Sequence, residues 1–258
     1  MKKKGIALVE RQYLFPFVLI TSLFFLWGFA HAILDVLNKH FQELLTITRT
    51  HSAMIQATMY MGYFIMAIPA GLFINRHGYR KGVVLGLLLY GIGSLLFIPG
   101  QYIASFNMFL FSLFVIGCGL TFLETAANPY VTELGARETA ASRLNFAQSF
   151  NGLGCIFAPI LTGLLLFSDE DKGASGNVAL PYAVMGVIVL LAALAFMRVR
   201  LPEIPHEEEV DSEGHRVGLW AHKLFVFGLV ALFAYEVSEI SINSFFINYV
   251  TEVGWMNA

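Results

Sequence analysis

Two carboxylates stand inside long apolar runs of this chain, and they are the residues best suited to do chemistry there. Glu124 lies within L-F-V-I-G-C-G-L-T-F-L-E-T-A-A-N-P, and Asp35 lies within L-F-F-L-W-G-F-A-H-A-I-L-D-V-L. Each run is long enough to cross a bilayer, where an ionisable side chain costs roughly 3 kcal/mol on insertion scales. An acid kept at that cost is typical of proton relays and of ion or substrate pathways.

The composition indicates that lipid is the main solvent of this chain. Hydrophobic residues make up 57% of the 258 residues and charged residues 13%, whereas soluble chains carry about 25% charged residues. The net charge of −2 and the lack of a basic stripe with interleaved aromatics exclude a nucleic-acid partner. Cys118 and Cys155 lie in apolar segments and are typical of packing residues, so we expect no disulfide framework.

Seven apolar segments are long enough for membrane spans, since a span needs about 20 predominantly apolar residues. Backbone polar groups in lipid must be satisfied within each segment, so the segments are predicted to be helices. The predicted spans are 13–37, 52–75, 82–100, 106–132, 142–167, 180–200 and 220–250. The polar run 202–216 predicts a linker. We therefore expect a six-helix bundle over 1–200, a charged cytoplasmic linker over 201–219, and a lone seventh helix over 220–258.

The basic residues predict that the N-terminus lies in the cytoplasm. With that orientation, 13 of the 16 Lys and Arg residues fall on the inside, which satisfies the positive-inside rule. The lysine-rich start also resembles that of a signal peptide. The apolar stretch behind it, 13–34, exceeds the usual limit of about 15 residues, so a first membrane span is the favoured interpretation.

Spans one and four share a pattern that predicts an inverted repeat of three helices. Gly28 precedes Asp35 by seven residues, and Gly117 precedes Glu124 by the same interval. The first span runs outward and the fourth runs inward, and each acid lies past the middle of its span. At about 1.5 Å per residue, Asp35 should lie on the outer side of the midplane and Glu124 on the inner side.

Polar side chains also recur along one face of the fifth span. Asn145, Gln148 and Asn151 are spaced three residues apart, which places them on one helix face. Amides donate and accept hydrogen bonds, so they suit a ligand rich in hydroxyls. Interhelical hydrogen bonding is the alternative. We favour that alternative for Asn145 near the end of the span, and ligand contact for Gln148 and Asn151, which lie deeper.

The seventh span and the first carry further candidate groups. Glu236, Glu239 and Asn243 form one polar face, which must meet protein or water rather than lipid. His31 lies one turn before Asp35, and two interpretations remain open for it: a His–Asp proton relay, or a packed polar residue that lines the same cavity. The sequence holds no G-x-S-x-G, H-E-x-x-H or P-loop motif, so nothing in it assembles a catalytic set.

The loop between spans two and three, G-L-F-I-N-R-H-G-Y-R-K, resembles the signature loop of the major facilitator superfamily. Asn75 stands where that family usually has aspartate, which removes one charge from the gating network of the family. The basic residues can still bond the C-terminal carbonyls of a neighbouring helix at the cytoplasmic mouth. The candidate gating residues are Gly71, Asn75, Arg76, Gly78, Arg80 and Lys81.

A closer resemblance covers nearly the whole chain. Four blocks, F-F-L-W-G-F-A-H-A-I-L-D, Y-F-I-M-A-I-P-A-G-L, L-E-T-A-A-N-P-Y-V-T-E-L-G and R-L-N-F-A-Q-S-F-N-G-L-G, look like the fucose–galactose–glucose:proton symporters. The resemblance implies proton coupling at Glu124 and Asp35, and sugar contacts from Asp35, Gln148, Asn151 and Glu239. It implies no cofactor beyond the coupled proton, no metal and no enzymatic activity. His31 and Asn243 are further candidate sugar contacts because of their positions on the first and seventh spans.

The resemblance further implies a multi-pass protein of the bacterial inner membrane that takes up a hexose by alternating access. Members of that family have twelve spans in two six-helix halves. This chain contains the first half, the linker and one helix of the second, so we expect a missing C-terminal half as a partner. Three rivals stay open: a membrane sensor that binds sugar without moving it, a carrier of another small polar solute, and an intramembrane enzyme.

Overall fold

The computed structural model describes residues 7–44, 48–167, 179–199 and 219–253. The long elements in these residues are all α-helices, as predicted. They are α1 (Leu14–Leu44), α2 (Arg49–His77), α3 (Tyr79–Leu95), α4 (Phe97–Ile103), α5 (Phe106–Glu133), α6 (Ala140–Phe167), α7 (Ala179–Arg198) and α8 (Lys223–Glu252). The chain divides into two compact units, Met1–Ile204 with α1 to α7 and Pro205–Ala258 with α8. The predicted linker, 201–219, lies almost entirely outside the described residues.

Six segments of the described residues are long and apolar enough to cross a membrane, and they correspond to six of the seven predicted spans. The third of them, Tyr79–Ile103, combines α3 and α4. The predicted fifth span is α6, which is as long as α5 at 28 residues but is not among the six. Its first half carries the polar residues Arg143, Asn145, Gln148 and Asn151.

Two predicted breaks between spans are wrong in extent. Helix α1 continues to Leu44, well past the predicted end of the first span at 37, and only Gly78 separates α2 from α3, although the second span was predicted to end at 75 and the third to begin at 82. Polar residues do not by themselves end a helix, because the backbone can stay helical beyond the lipid. Gly78 ends α2 because its φ of 87° suits glycine and its N–H donates to Ile74 O at 2.7 Å.

Glycines let the helices of the first unit touch backbone to backbone. A Cβ atom on Gly28 of α1 would lie 2.1 Å from Asn151 O of α6, and one on Gly117 of α5 would lie 2.3 Å from Met59 O of α2. Similarly, a Cβ on Gly119 of α5 would lie 2.6 Å from Gly86 O of α3. Close approach through small residues gives the van der Waals contact that holds helices together in lipid.

The crossings of α1 with α6 and of α2 with α5 use matching positions, which supports the inverted repeat. In each crossing, two residues three positions apart on one helix meet two residues three positions apart on the other. The pairs are Phe25 and Gly28 against Asn151 and Gly154, and Phe114 and Gly117 against Met59 and Gly62. Gly28 and Gly117, which precede Asp35 and Glu124 by the same interval, therefore occupy matching positions in the two crossings. The six-helix unit is therefore two three-helix repeats whose first two helices cross into each other.

Candidate functional site

Glu124 lies in an open cleft of about 640 Å³ between α2 and α5. Its side chain is half-buried, so the carboxyl group meets both protein and the cleft. The polar residues that line the cleft with it are Tyr60, Tyr63, Thr121, Thr125 and Asn128. A carboxyl group among hydroxyls and an amide can exchange hydrogen bonds with a ligand that carries many hydroxyl groups.

Helical spacing brings these groups to one side of α5. Thr121, Glu124, Thr125 and Asn128 follow at i, i+3, i+4 and i+7, which is one face of a helix. The Thr121 hydroxyl donates to Gly117 O at 2.8 Å, and the Thr125 hydroxyl donates to Thr121 O at 2.7 Å. Because both hydroxyl protons are used within the helix, the two threonines present acceptor lone pairs to the cleft.

Helix α2 supplies the opposite wall with two tyrosines spaced three residues apart. Tyr60 and Tyr63 line the cleft, and their ring centroids are 5.9 Å apart. The Tyr63 hydroxyl accepts a hydrogen bond from Trp27 Nε1 at 3.1 Å and lies 3.4 Å from His31 Nε2. Helix α1 therefore reaches the cleft through Tyr63. Sequence reasoning missed both tyrosines, although a pair of polar-tipped aromatics on one face of an apolar span was a usable signal.

Asp35 lies on α1 and Glu124 on α5, and the Asp35 side chain lies outside the described residues. Their placement on the outer and inner sides of the midplane stays a prediction.

The amides of α6 differ in their surroundings. Gln148 is exposed, and its Nε2 donates to Asn128 Oδ1 at 3.5 Å, which connects it with the cleft. Asn151 is half-buried at the crossing of α1 and α6, with the Cys155 thiol 4.0 Å from its Oδ1. Asn145 is exposed near the start of the helix. Of the three, Gln148 has the direct contact with a residue that lines the Glu124 cleft.

Two arginines bind helix ends on the side of the bundle where the chain enters α1. Arg143 is completely buried, and it donates to the last carbonyls of α5, Val131 O at 3.1 Å and Thr132 O, as well as to Leu8 O at 3.2 Å. The last carbonyls of a helix have no hydrogen-bond donor within that helix and carry partial negative charge, so a buried guanidinium group is stabilised there. The sequence did not predict this burial, because it depends on how the chain folds around Arg143.

Among the candidate gating residues in the described part of the chain, Arg80 makes side-chain hydrogen bonds to another helix. It donates through Nε to Phe196 O at 3.3 Å and through Nη2 to Met197 O, and both carbonyls belong to the last turn of α7. Gly78 is the turn between α2 and α3. The side chains of Asn75, Arg76 and Lys81 are exposed, and a Cβ on Gly71 would meet nothing within 4 Å.

The second unit contains the remaining predicted residues. Glu236, Glu239 and Asn243 are exposed on α8. In the part of the chain that the structure describes, no cluster of three or more His, Cys, Asp or Glu side chains is arranged to hold a metal ion.

The helical bundle has crossed three-helix repeats and a basic turn between its second and third spans. A comparison with known families identifies the family that has this arrangement. The profile of the Major Facilitator Superfamily matches residues 17–256. The chain belongs to the major facilitator superfamily. This is a family of transporters rather than of enzymes.

Similar members of the superfamily are named as sugar transporters. The chain is 35% identical over 247 residues to a glucose/galactose transporter of Brucella abortus, a match that covers 94% of this chain and 60% of that protein. It is 36% identical over 276 residues to an L-fucose-proton symporter of Haemophilus influenzae, with coverage of 97% and 64%. The chain thus spans about 60% of the length of the curated relatives it matches.

Solved structures agree with this assignment of the fold. The fucose:proton symporter of Escherichia coli has 34% sequence identity and a TM-score of 0.63, with 86% of this chain and 56% of that chain covered. The proton:xylose symporter XylE has a TM-score of 0.63 at 16% identity, which supports the fold alone. The predicted all-α fold with a major facilitator six-helix bundle is confirmed.

Proposed function

We propose that this chain is part of a secondary active transporter that takes up a hexose together with a proton by alternating access. Glucose, galactose and L-fucose are the candidate sugars, because the similar relatives are named for them. The observation that carries the proposal is the Glu124 cleft, where one carboxyl group lies among tyrosine and threonine hydroxyls and the Asn128 amide. Such a site offers a proton acceptor and sugar-binding groups in one place.

Protonation of Glu124 removes a charge that is costly to enclose in protein and lipid. A carrier loaded with proton and sugar can therefore close around its cargo and open to the other side more easily than a carrier with a bare carboxylate. Release of the proton on the side of higher pH restores the charge and favours departure of the sugar. The coupling free energy of this step is the difference in sugar affinity between protonated and ionised Glu124.

The remaining candidate residues receive roles within this mechanism. We assign Asp35 to sugar binding linked to protonation, on the side of the bundle opposite Glu124. Gln148 and Asn151 are proposed sugar contacts from α6, and Glu239 and Asn243 are proposed contacts from α8. Helix α8 and the remaining length of the relatives would together form a six-helix half that supplies the facing wall of the cavity.

The proposed setting is the bacterial inner membrane, with several spans and a cytoplasmic N-terminus. The basic residues near the start of α1, the end of α2 and the end of α7 would then share the cytoplasmic side. On this side Arg80 holds the end of α7 and Arg143 holds the end of α5. These contacts would keep the six-helix bundle together as a rigid body while the two halves rock against each other.

Proteoliposomes that carry the whole transporter of which this chain is part, with an imposed proton gradient, test the function. Labelled glucose, galactose and L-fucose are offered in turn to the wild type, Glu124→Gln and the control Glu138→Gln, whose carboxylate is exposed in the turn between α5 and α6. We expect the gradient to drive uptake of one sugar in the wild type and in Glu138→Gln. In Glu124→Gln, gradient-driven uptake is lost while sugar exchange across the membrane continues.

Three results would contradict the proposal in different ways. Uptake in Glu124→Gln that still responds to the gradient would remove Glu124 from proton coupling. Sugar binding without any uptake by the wild type would favour a membrane sensor. Uptake of another small polar solute, with none of the three hexoses transported or bound, would show that the protein is a transporter but that its substrate is not a hexose.

A further inference from the structure

Trp27, Tyr63 and His31 form a closed ring of hydrogen bonds beside the Glu124 cleft. Trp27 Nε1 lies 3.1 Å from the Tyr63 hydroxyl oxygen, and that oxygen lies 3.4 Å from His31 Nε2. His31 Nδ1 then lies 3.1 Å from the backbone oxygen of Trp27, one turn earlier on α1. The ring joins two residues of α1 with one residue of α2, and Tyr63 also lines the cleft.

The chemistry of the ring fixes the direction of each hydrogen bond when His31 is neutral. A carbonyl oxygen can only accept, so His31 Nδ1 carries the proton and donates to Trp27 O. The unprotonated Nε2 must then accept from the Tyr63 hydroxyl, while the indole N–H, which can only donate, points to the Tyr63 oxygen. One tautomer of the neutral imidazole thus satisfies all three contacts without a further proton.

A second proton on His31 would disturb this arrangement. The protonated Nε2 would donate to the Tyr63 oxygen, so it would occupy the lone pair that Tyr63 otherwise presents to the cleft, and the Tyr63 proton would leave His31. Apart from Tyr63, the titratable group that faces the imidazole in the described residues is Tyr60, whose ring centroid is 6.4 Å away. Glu124 interacts electrostatically with Tyr63. Asp35 follows one turn later on α1, and its side chain lies outside the described residues.

We propose that His31 is a positioning residue that acts through Tyr63: as a neutral imidazole it holds the Tyr63 hydroxyl, and it sets sugar affinity without carrying the transported proton. Because the Tyr63 proton is committed to His31, Tyr63 presents an acceptor lone pair to the cleft. Tyr63 can therefore accept a hydrogen bond from a sugar hydroxyl or from a protonated carboxyl group. The proposal rests on the proposed function, and it decides between the two interpretations that the sequence left open for His31.

Spectroscopy of the purified chain tests the tautomer without any need for transport. Nitrogen NMR of histidine-labelled protein reports which imidazole nitrogen carries a proton, and His31→Gln identifies the His31 signals. His77 is the reference, because its Nδ1 makes the same contact with a carbonyl one turn earlier, Phe73 O at 3.1 Å, while its side chain is exposed. We expect His31 to keep its proton on Nδ1 between about pH 6 and pH 8. A second proton gained within this range would overturn the proposal, whether or not the protein transports sugar.

Sugar binding and gradient-driven uptake test the consequence for function. Glutamine offers a side-chain oxygen near the position of Nε2 and cannot titrate, whereas leucine fills the space without an acceptor. We expect His31→Gln to keep the wild-type affinity, and His31→Leu to weaken binding about five- to tenfold, the loss of one hydrogen bond. Both should keep the wild-type pH profile of uptake, as should the control His77→Leu.

A changed pH profile in both His31 variants would make His31 a proton carrier and refute the proposal. An affinity of His31→Leu equal to that of the wild type would also refute it, because the acceptor would then have no effect on the site. If the wild type binds no sugar, the proposed function fails while the NMR result still decides the state of His31.

Discussion

At the crossing of α1 and α6, alanine substitutions at two neighbouring glycines of α6 should change the unfolding free energy in opposite directions. Gly154 and Gly152 lie on the same helix, α6. A Cβ atom at Gly154 would lie 2.3 Å from Phe25 O and 2.8 Å from Phe29 N, both backbone atoms of α1. At Gly152 a Cβ would meet nothing within 4 Å. Alanine at these two positions therefore adds the same methyl group to the same helix in opposite environments.

The geometry sets the size of the effect. Ordinary contact begins near 3.4 Å, so α1 and α6 must separate by about 1.1 Å to admit a methyl group at Gly154. Overpacking typically costs about 1–3 kcal/mol, and two helical backbones yield less than a flexible side chain does. The better helix propensity of alanine returns about 0.5–1 kcal/mol. We expect Gly154→Ala to lose about 2 kcal/mol of unfolding free energy and Gly152→Ala to gain up to about 1 kcal/mol.

One native cysteine lies at each of the two crossings, so thiol labelling can report the local opening of each. The Cys155 thiol lies 3.5 Å from Gly28 O at the crossing of α1 and α6, and the Cys118 thiol lies 4.0 Å from Gly62 O at the crossing of α2 and α5. Denaturant unfolding in detergent gives the free energies, and thiol labelling under native conditions gives the local opening. Gly154→Ala should speed labelling of Cys155 more than that of Cys118.

A substitution at the matching position of the other repeat should reverse the labelling pattern. A Cβ at Gly62 would lie 2.7 Å from Phe114 O, so Gly62→Ala should speed labelling of Cys118 more than that of Cys155. Equal stability of Gly154→Ala and Gly152→Ala, or the same labelling pattern in all variants, would show that the helices do not cross in backbone contact.

Three further predictions concern helix ends. Ala104 ends α4 at a φ of 50°, a left-handed conformation that costs a non-glycine residue about 1 kcal/mol, so Ala104→Gly should raise the unfolding free energy by roughly that amount in a denaturant titration. Arg143→Lys should lower the unfolding temperature and speed proteolysis near Leu8, because an ammonium group cannot reach the several carbonyls that the guanidinium holds; wild-type proteolysis would count against this. Arg80→Gln should speed amide exchange in the last turn of α7 and leave the start of α2 unchanged, as measured by mass spectrometry.

Periodicity and hydropathy were sufficient to predict the helices and the repeat. Runs of apolar residues must be helical in lipid because no other local structure satisfies the backbone there. Shared spacing relative to Asp35 and Glu124 indicated that the first and fourth spans are equivalent. The exact helix ends were not predictable in the same way, because a turn such as Gly78 depends on a single backbone angle and the neighbouring residues are polar whether or not they are helical.

The sequence by itself determined the class of protein and most of its helices, and it predicted Glu124 as the residue around which a site should form. Only the tertiary structure decided which side chains accompany it. Tyr63 lines one cleft with Glu124 because α2 and α5 cross at Gly62 and Gly117, and it contacts Trp27 and His31 because α1 packs against α2. Hydropathy is a property of each segment, whereas a site is a property of the contacts between segments, and those contacts exist only once the helices have packed.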